Sequence, residues 1–241
     1  MTGRRAEDHL PGTGLVTGHS HFIIGVSLGV GIQPTAIAVV EQIIDSGGNW
    51  LAKTRALELR HLERLPAQTS YPDTVERVAT LLSSPEIEEG EGCGDVGVLI
   101  DVTGSGSAIV ELFKRADIAP VVVTITGASV IEEEVKFNDW RLPKVELVGA
   151  LRVAYEVGRL RMAKSLELVP DLLNELREFK MRPPRIEPND PESWRENEFD
   201  DLIFAVGLAT WRASRYVPSP EMVRGRYDKR RPPRSRSWMS A

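Results

Sequence analysis

The sequence predicts an α/β protein built on a mixed sheet. A three-strand antiparallel meander is extended by parallel strands, and helices cover both faces. Three observations carry this expectation. Apolar, β-branched runs recur between Phe22 and Thr126. The first three are joined by connections too short for a crossover. From Val75 onward, stretches of helical period alternate with the later runs.

Each element has its own signal. Phe22-Ile23-Ile24-Gly25-Val26 reads as the first strand and Thr35 to Glu41 as the second, with a Gly-bearing turn from Leu28 to Pro34 between them. Asp45-Ser46-Gly47-Gly48-Asn49 is a hairpin signal. A third strand runs from Leu51 to about Leu62, where Leu57 and Leu59 alternate with Glu58 and Arg60. The period then changes. Val75, Val78, Ala79 and Leu82 mark an amphipathic helix, with Asp73 and Glu76 resembling a capping box. Pro85 to Gly94 reads as an acidic loop. Val96 to Ile100 is a buried strand ending in Asp101, followed by a Gly/Ser turn and a helix at about 106–115. Pro120 to Thr126 forms another strand, and Val130 to Leu142 a hairpin-like region. Pro143 suits the first turn of a helix reaching about Val157, which Gly158 ends. Leu168 to Phe179 is a further helix with Leu172, Leu173, Leu176 and Phe179 on one face. The last helix, Leu202 to Ala209, is apolar all round and must be buried. Right-handed crossovers place the first strand at the sheet centre, beside the Asp101 strand.

Composition narrows the class. The chain has 241 residues, 41% apolar and 27% charged, as in ordinary globular domains. Cys93 is the single cysteine, which excludes an intrachain disulfide and a cysteine-based zinc cluster. No apolar run approaches the ~18 residues of a membrane span, so no membrane partner is expected. The N-terminus lacks the apolar core of a signal peptide, so the expected location is cytoplasmic. His19 and His21 read as ordinary polar residues rather than a metal pair.

The net charge of −5 is unevenly spread. From Arg212 to the end, nine Lys/Arg face two acids, giving +7 for this stretch and leaving −12 for the rest. The expected organisation is a flexible lead at 1–21, one domain at 22–215, and a basic, disordered tail at 216–241. Arg230 and Arg231 in that tail suit DNA phosphates.

Asp200 and Asp201 stand at the head of the buried last helix. One carboxylate there is stabilised by the free N–H groups and the macrodipole. Two adjacent ones repel, and a divalent cation would relieve the repulsion. Asp101 ends a strand, where ligands of α/β sheets gather. The crossovers allow the tips of the first strand and the Asp101 strand to meet the head of the last helix.

Five motifs bring a resemblance. They are Ile-Asp-Val-Thr-Gly-Ser-Gly (100–106), Val-Thr-Ile-Thr-Gly (123–127), Leu-Pro-Lys-Val-Glu-Leu-Val (142–148), Gly-Arg-Leu-Arg-Met-Ala (158–163) and Trp-Arg-Glu-Asn-Glu-Phe-Asp-Asp-Leu (194–202). The arrangement resembles the ribonuclease H-like fold. Over about 22–212 the motifs look like the nuclease domain of the large terminase subunit of tailed bacteriophages. The resemblance implies metal-dependent cutting of double-stranded DNA during genome packaging. It implies a two-metal site of Mg²⁺ or Mn²⁺, with Asp101, Asp200 and Asp201 as catalytic metal ligands. It also implies phosphate contacts from Lys144 and Arg195.

The chain departs from that pattern. The family's first ligand is an aspartate on strand one, and Gly25-Val26-Ser27-Leu28-Gly29 carries Ser27 in its place. Gln33-Pro34-Thr35 stands where Asp-Pro-Thr is typical, and Phe199 where His is frequent. A neutral hydroxyl is a poor ligand for hard cations. Two expectations therefore stand side by side: an endonuclease with impaired catalysis, and a decayed module that binds DNA or a packaging partner. No Gly-x-x-x-x-Gly-Lys-Ser/Thr phosphate loop is present in the chain, so a packaging ATPase, like a portal, is expected as a separate partner in a phage- or prophage-carrying host cell.

Overall fold

The computed structural model describes residues 18–29, 33–45, 53–88, 96–104, 108–127, 132–134, 139–179 and 200–215. Three long strands, β1 (Gly18–Ser27), β2 (Ala36–Asp45) and β3 (Lys53–Arg64), form the expected antiparallel meander. Helices α1 (Tyr71–Leu82), α2 (Pro85–Glu88) and α3 (Ala108–Arg115) accompany the crossover strands β4 (Gly97–Asp101) and β5 (Val121–Thr126). Then come β6 (Glu132–Glu134), β7 (Asp139–Pro143), α4 (Lys144–Glu156), β8 (Leu160–Met162), α5 (Val169–Glu178) and α6 (Asp201–Arg215). The eight strands lie in the order β6-β7-β5-β4-β1-β2-β3-β8. β1 is central and parallel to β4, as the crossovers required. The inner order β3-β2-β1-β4-β5, with β2 antiparallel to its neighbours, is a ribonuclease H-like sheet.

Alternate residues of the same strands feed two cores. Ile24, Ile37, Val39 and Ile100 pack with Val75, Val78 and Phe113 on the α1/α3 face. Ile23, Ala38, Val40, Leu99 and Val123 pack with Leu147, Leu172 and most of α6 on the other. A seam without side chains locks α6 to the sheet: a Cβ on Gly25 would lie 2.1 Å from the Ala205 carbonyl oxygen and 3.2 Å from the Ala209 nitrogen. Further along, Gln42 Nε2 donates to the Ala213 carbonyl (2.9 Å), and Gln42 faces His21 near the start of β1. So α6 runs against β1, and its head lies over the Ser27 end.

Several boundaries differ from the expectation. β1 begins at Gly18 rather than Phe22, and His21 is a buried strand residue. The cap of α1 is Ser70, not Asp73. Its hydroxyl accepts from the Asp73 N–H (3.3 Å) and donates to the Asp73 carboxylate (2.6 Å). One helical turn, α2, forms inside the expected acidic loop because Ile87 has a core to enter. β8, unforeseen, adds in parallel to β3. The hairpin turn at 46–49, most of the lead and the basic tail lie outside the described residues.

Candidate functional site

One cross-strand row ends the sheet beneath the head of α6. Arg64 on β3 faces Ala36 on β2, Ala36 faces Ser27 on β1, Ser27 faces Asp101 on β4, and Asp101 faces Val123 on β5. Directly opposed residues share a face. Ala36 and Val123 belong to the α6-side core, so Arg64, Ser27 and Asp101 face the same layer. Strands lie about 4.8 Å apart. Ser27 and Asp101 are therefore immediate neighbours, and Arg64 stands two strands from Ser27.

Asp101 is fully buried. Its Oδ1 accepts from the Thr103 N–H (2.9 Å) and from the Thr103 hydroxyl. Thr103 is fixed in turn, because its Oγ1 accepts from the Ile125 N–H on β5 (2.8 Å). The Val-Thr-Gly turn after β4, with Gly104 at φ 79°, thus folds back to clamp the carboxylate.

A second cluster forms at the head of α6. Arg64 reaches across from β3 and forks onto Asp201, with Nε to Oδ2 at 2.7 Å and Nη2 to Oδ1 at 3.1 Å. Nη2 also donates to Glu175 Oε1 of α5 (2.6 Å), and Glu175 Oε2 accepts from the Ile203 N–H (3.1 Å). The Asp200 carbonyl accepts from the Phe204 N–H (3.2 Å) and opens the helix. Burial and the charge of Asp201 outweigh the Ile203 N–H and Arg64, so the Glu175 carboxyl is pushed up to about 8. Burial opposes the charge of Arg64, but Asp201 and Glu175 prevail and hold the guanidinium more firmly protonated than usual.

The donor set does not fit a pair of divalent cations. Among the described residues, no group of three or more His, Cys, Asp or Glu side chains is placed to hold a metal ion. Ser27 contributes no charge, Oδ1 of Asp101 is engaged by Thr103, and both oxygens of Asp201 are taken by Arg64.

The structure thus brings Ser27, Asp101 and Asp201 to one end of the sheet, with Asp200 preceding α6. Lys144 opens α4 directly after Pro143, which faces Thr126 at the tip of β5, on the same side. Arg195, Arg230 and Arg231 lie outside the described residues. Arg64 and Glu175 were not expected in the site. A groove of about 500 Å³ lined by Val145, Glu146, Val153, Trp211 and Arg215 runs along α4 beside the C-terminal half of α6.

No family model and no curated protein matches the chain. Solved structures do. The large terminase nuclease of thermophilic phage G20c is 20% identical, with a TM-score of 0.46, and the match covers 82% of this chain and 83% of that one. The manganese-soaked terminase nuclease domain of human cytomegalovirus is 13% identical, with a TM-score of 0.48 and coverage of 80% and 82%. RuvC of Thermus thermophilus is 14% identical, with a TM-score of 0.29 and coverage of 81% and 98%.

Proposed function

We propose that this chain is a terminase-nuclease-type module that holds double-stranded DNA during phage genome packaging, with hydrolysis impaired at Ser27. One observation carries the reading. Ser27 sits in register beside Asp101, where the motif resemblance calls for an acid, so the row has lost a charge at its centre. Lys144, Arg195, Arg230 and Arg231 would serve phosphates, and a separate ATPase or portal would be the protein partner, in the cytoplasm of the host cell.

A second reading, a working Mg²⁺- or Mn²⁺-dependent endonuclease, is favoured by the gathering of Asp101 and Asp201 at one sheet end. Plasmid nicking in Mn²⁺ separates the two. No cleavage by the natural chain, with cleavage appearing in Ser27→Asp, supports the impaired module. Cleavage by the natural chain that vanishes in Asp101→Ala supports the endonuclease and sinks the first reading. DNA retention with a steep salt slope, flattened by deleting residues 224–241, supports phosphate binding through the tail. Failure to retain DNA at low salt removes the DNA role altogether.

A further inference from the structure

We propose that Arg64 is a built-in counter-ion standing in for a divalent cation at the head of α6, so that this site holds its acids together without metal. The inference deepens the impaired-module reading and rests on it.

The side chains of Asp201 and Glu175 are each only 8% exposed, and they arrive from different helices. Two carboxylates brought together out of water repel, and each has lost hydration. Burial and that repulsion keep a proton on Glu175 up to about pH 8, so below it Asp201 is the anion that needs a cation. In a nuclease centre a metal would supply it. Here the guanidinium does, with a permanent charge and a planar fork that matches carboxylate geometry. Arg64 covers both oxygens of Asp201 and one of Glu175, and the Ile203 N–H takes the other.

The backbone delivers Arg64 to this spot. In β3, Val39 faces His61 while the adjacent Val40 faces Leu59, so Arg60 is an extra residue. This bulge shifts the phase, and Leu62 and Arg64 turn to the α6 side. The rest of the row agrees with the assignment. Between Arg64 and Asp101 stand only Ala36 and Ser27, both neutral. A divalent ion would have to expel the guanidinium from two carboxylates and would find no charge at Ser27 to replace what it lost. Mg²⁺, which sheds water reluctantly, is poorly placed to do so.

The test is thermal unfolding of the full chain in EDTA and in millimolar Mn²⁺, with a Mn²⁺ binding isotherm beside it. The natural chain is expected to melt at the same temperature in both. Arg64→Met should melt several degrees lower in EDTA and recover in Mn²⁺. The recovery should vanish in the Arg64→Met/Asp201→Asn double variant. The isotherm should tighten at least about tenfold on Arg64→Met. Arg64→Lys, which keeps charge but loses the fork, should show a smaller fall in EDTA and little Mn²⁺ response. If Arg64→Met fails to fold, the natural chain and Arg64→Lys decide the matter. A Mn²⁺ site in the natural chain that Asp201→Asn abolishes overturns the proposal, and so does Arg64→Lys with the Mn²⁺ affinity of the natural chain and no loss in EDTA. An Arg64→Met protein that folds and ignores Mn²⁺ also overturns it. DNA retention in EDTA is scored separately. Its loss sinks the functional reading and leaves the Mn²⁺ result standing.

Discussion

α1 and α6 cover opposite faces of one sheet and are built on opposite plans. α1 carries its own instructions: Ser70 caps it, Pro72 and Asp73 sit in its first turn, and only a stripe of Thr74, Val75, Val78 and Leu81 is buried. α6 carries almost none. Every residue from Asp201 to Trp211 is buried, so its place is set by what surrounds it rather than by local sequence. It touches β1 through Gly25, β2 through Gln42, and β3 and α5 through Arg64 and Glu175. The candidate site hangs on this second kind of helix. A carboxylate on α6 is fixed relative to the strand tips because the helix cannot shift without breaking contacts with four other elements.

The sharpest way to break that contrast is Gly25→Ala. The new methyl, fixed directly on the β1 backbone, would meet the Ala205 backbone carbonyl oxygen at 2.1 Å, and neither can swing aside. The helix must move away from the sheet. The expected loss is about 3 kcal/mol or more, at the upper end of overpacking costs, read as a lower urea midpoint with an unchanged slope. A loss below about 1 kcal/mol would mean that α6 slides freely, and the site with it.

A pH series sharpens the same contrast. Glu175 has an ordinary value of 4.5 when unfolded and about 8 when folded. Between those values the native state binds more protons than the unfolded one, so stability falls as pH rises from about 4.5 to about 8. Above that window the cost is fully present, and below it absent. Glu175→Gln should flatten the fall. Urea titrations at the two ends of the window check it, and an equal slope in the variant would place the titration elsewhere.

Much of this arrangement was legible in the sequence. β-branched runs gave the strands, short turns gave the meander, and crossover handedness put β1 beside the Asp101 strand. The apolar run after Asp201 announced a buried helix. The partners of Asp201 were not legible, for physical reasons. Simple alternation from Leu57 and Leu59 puts Glu63 on the α6 face and Arg64 on the other. The bulge at Arg60 inverts this, and nothing in the local composition marks it. Glu175 lies beside Leu172 and Leu176 on a helix whose polar face resembles a solvated one, and only the docking of α5 on α6 encloses it. β8 spans three residues, too few for a period to show.

The smallest expected effect falls on α1. Ser70→Ala removes the acceptor for the Asp73 N–H and the donor to its carboxylate. The cap lies at the surface, so water replaces part of what is lost, and the expected cost is about 1 kcal/mol. Because Glu175 is on the other face of the sheet, the cost should be the same at pH 5 and pH 8.5, and additive with that of Gly25→Ala, since distant sites without shared partners act independently. A non-additive pair would mean that the two faces communicate through the sheet, and that α6 is held partly by the helix it never touches.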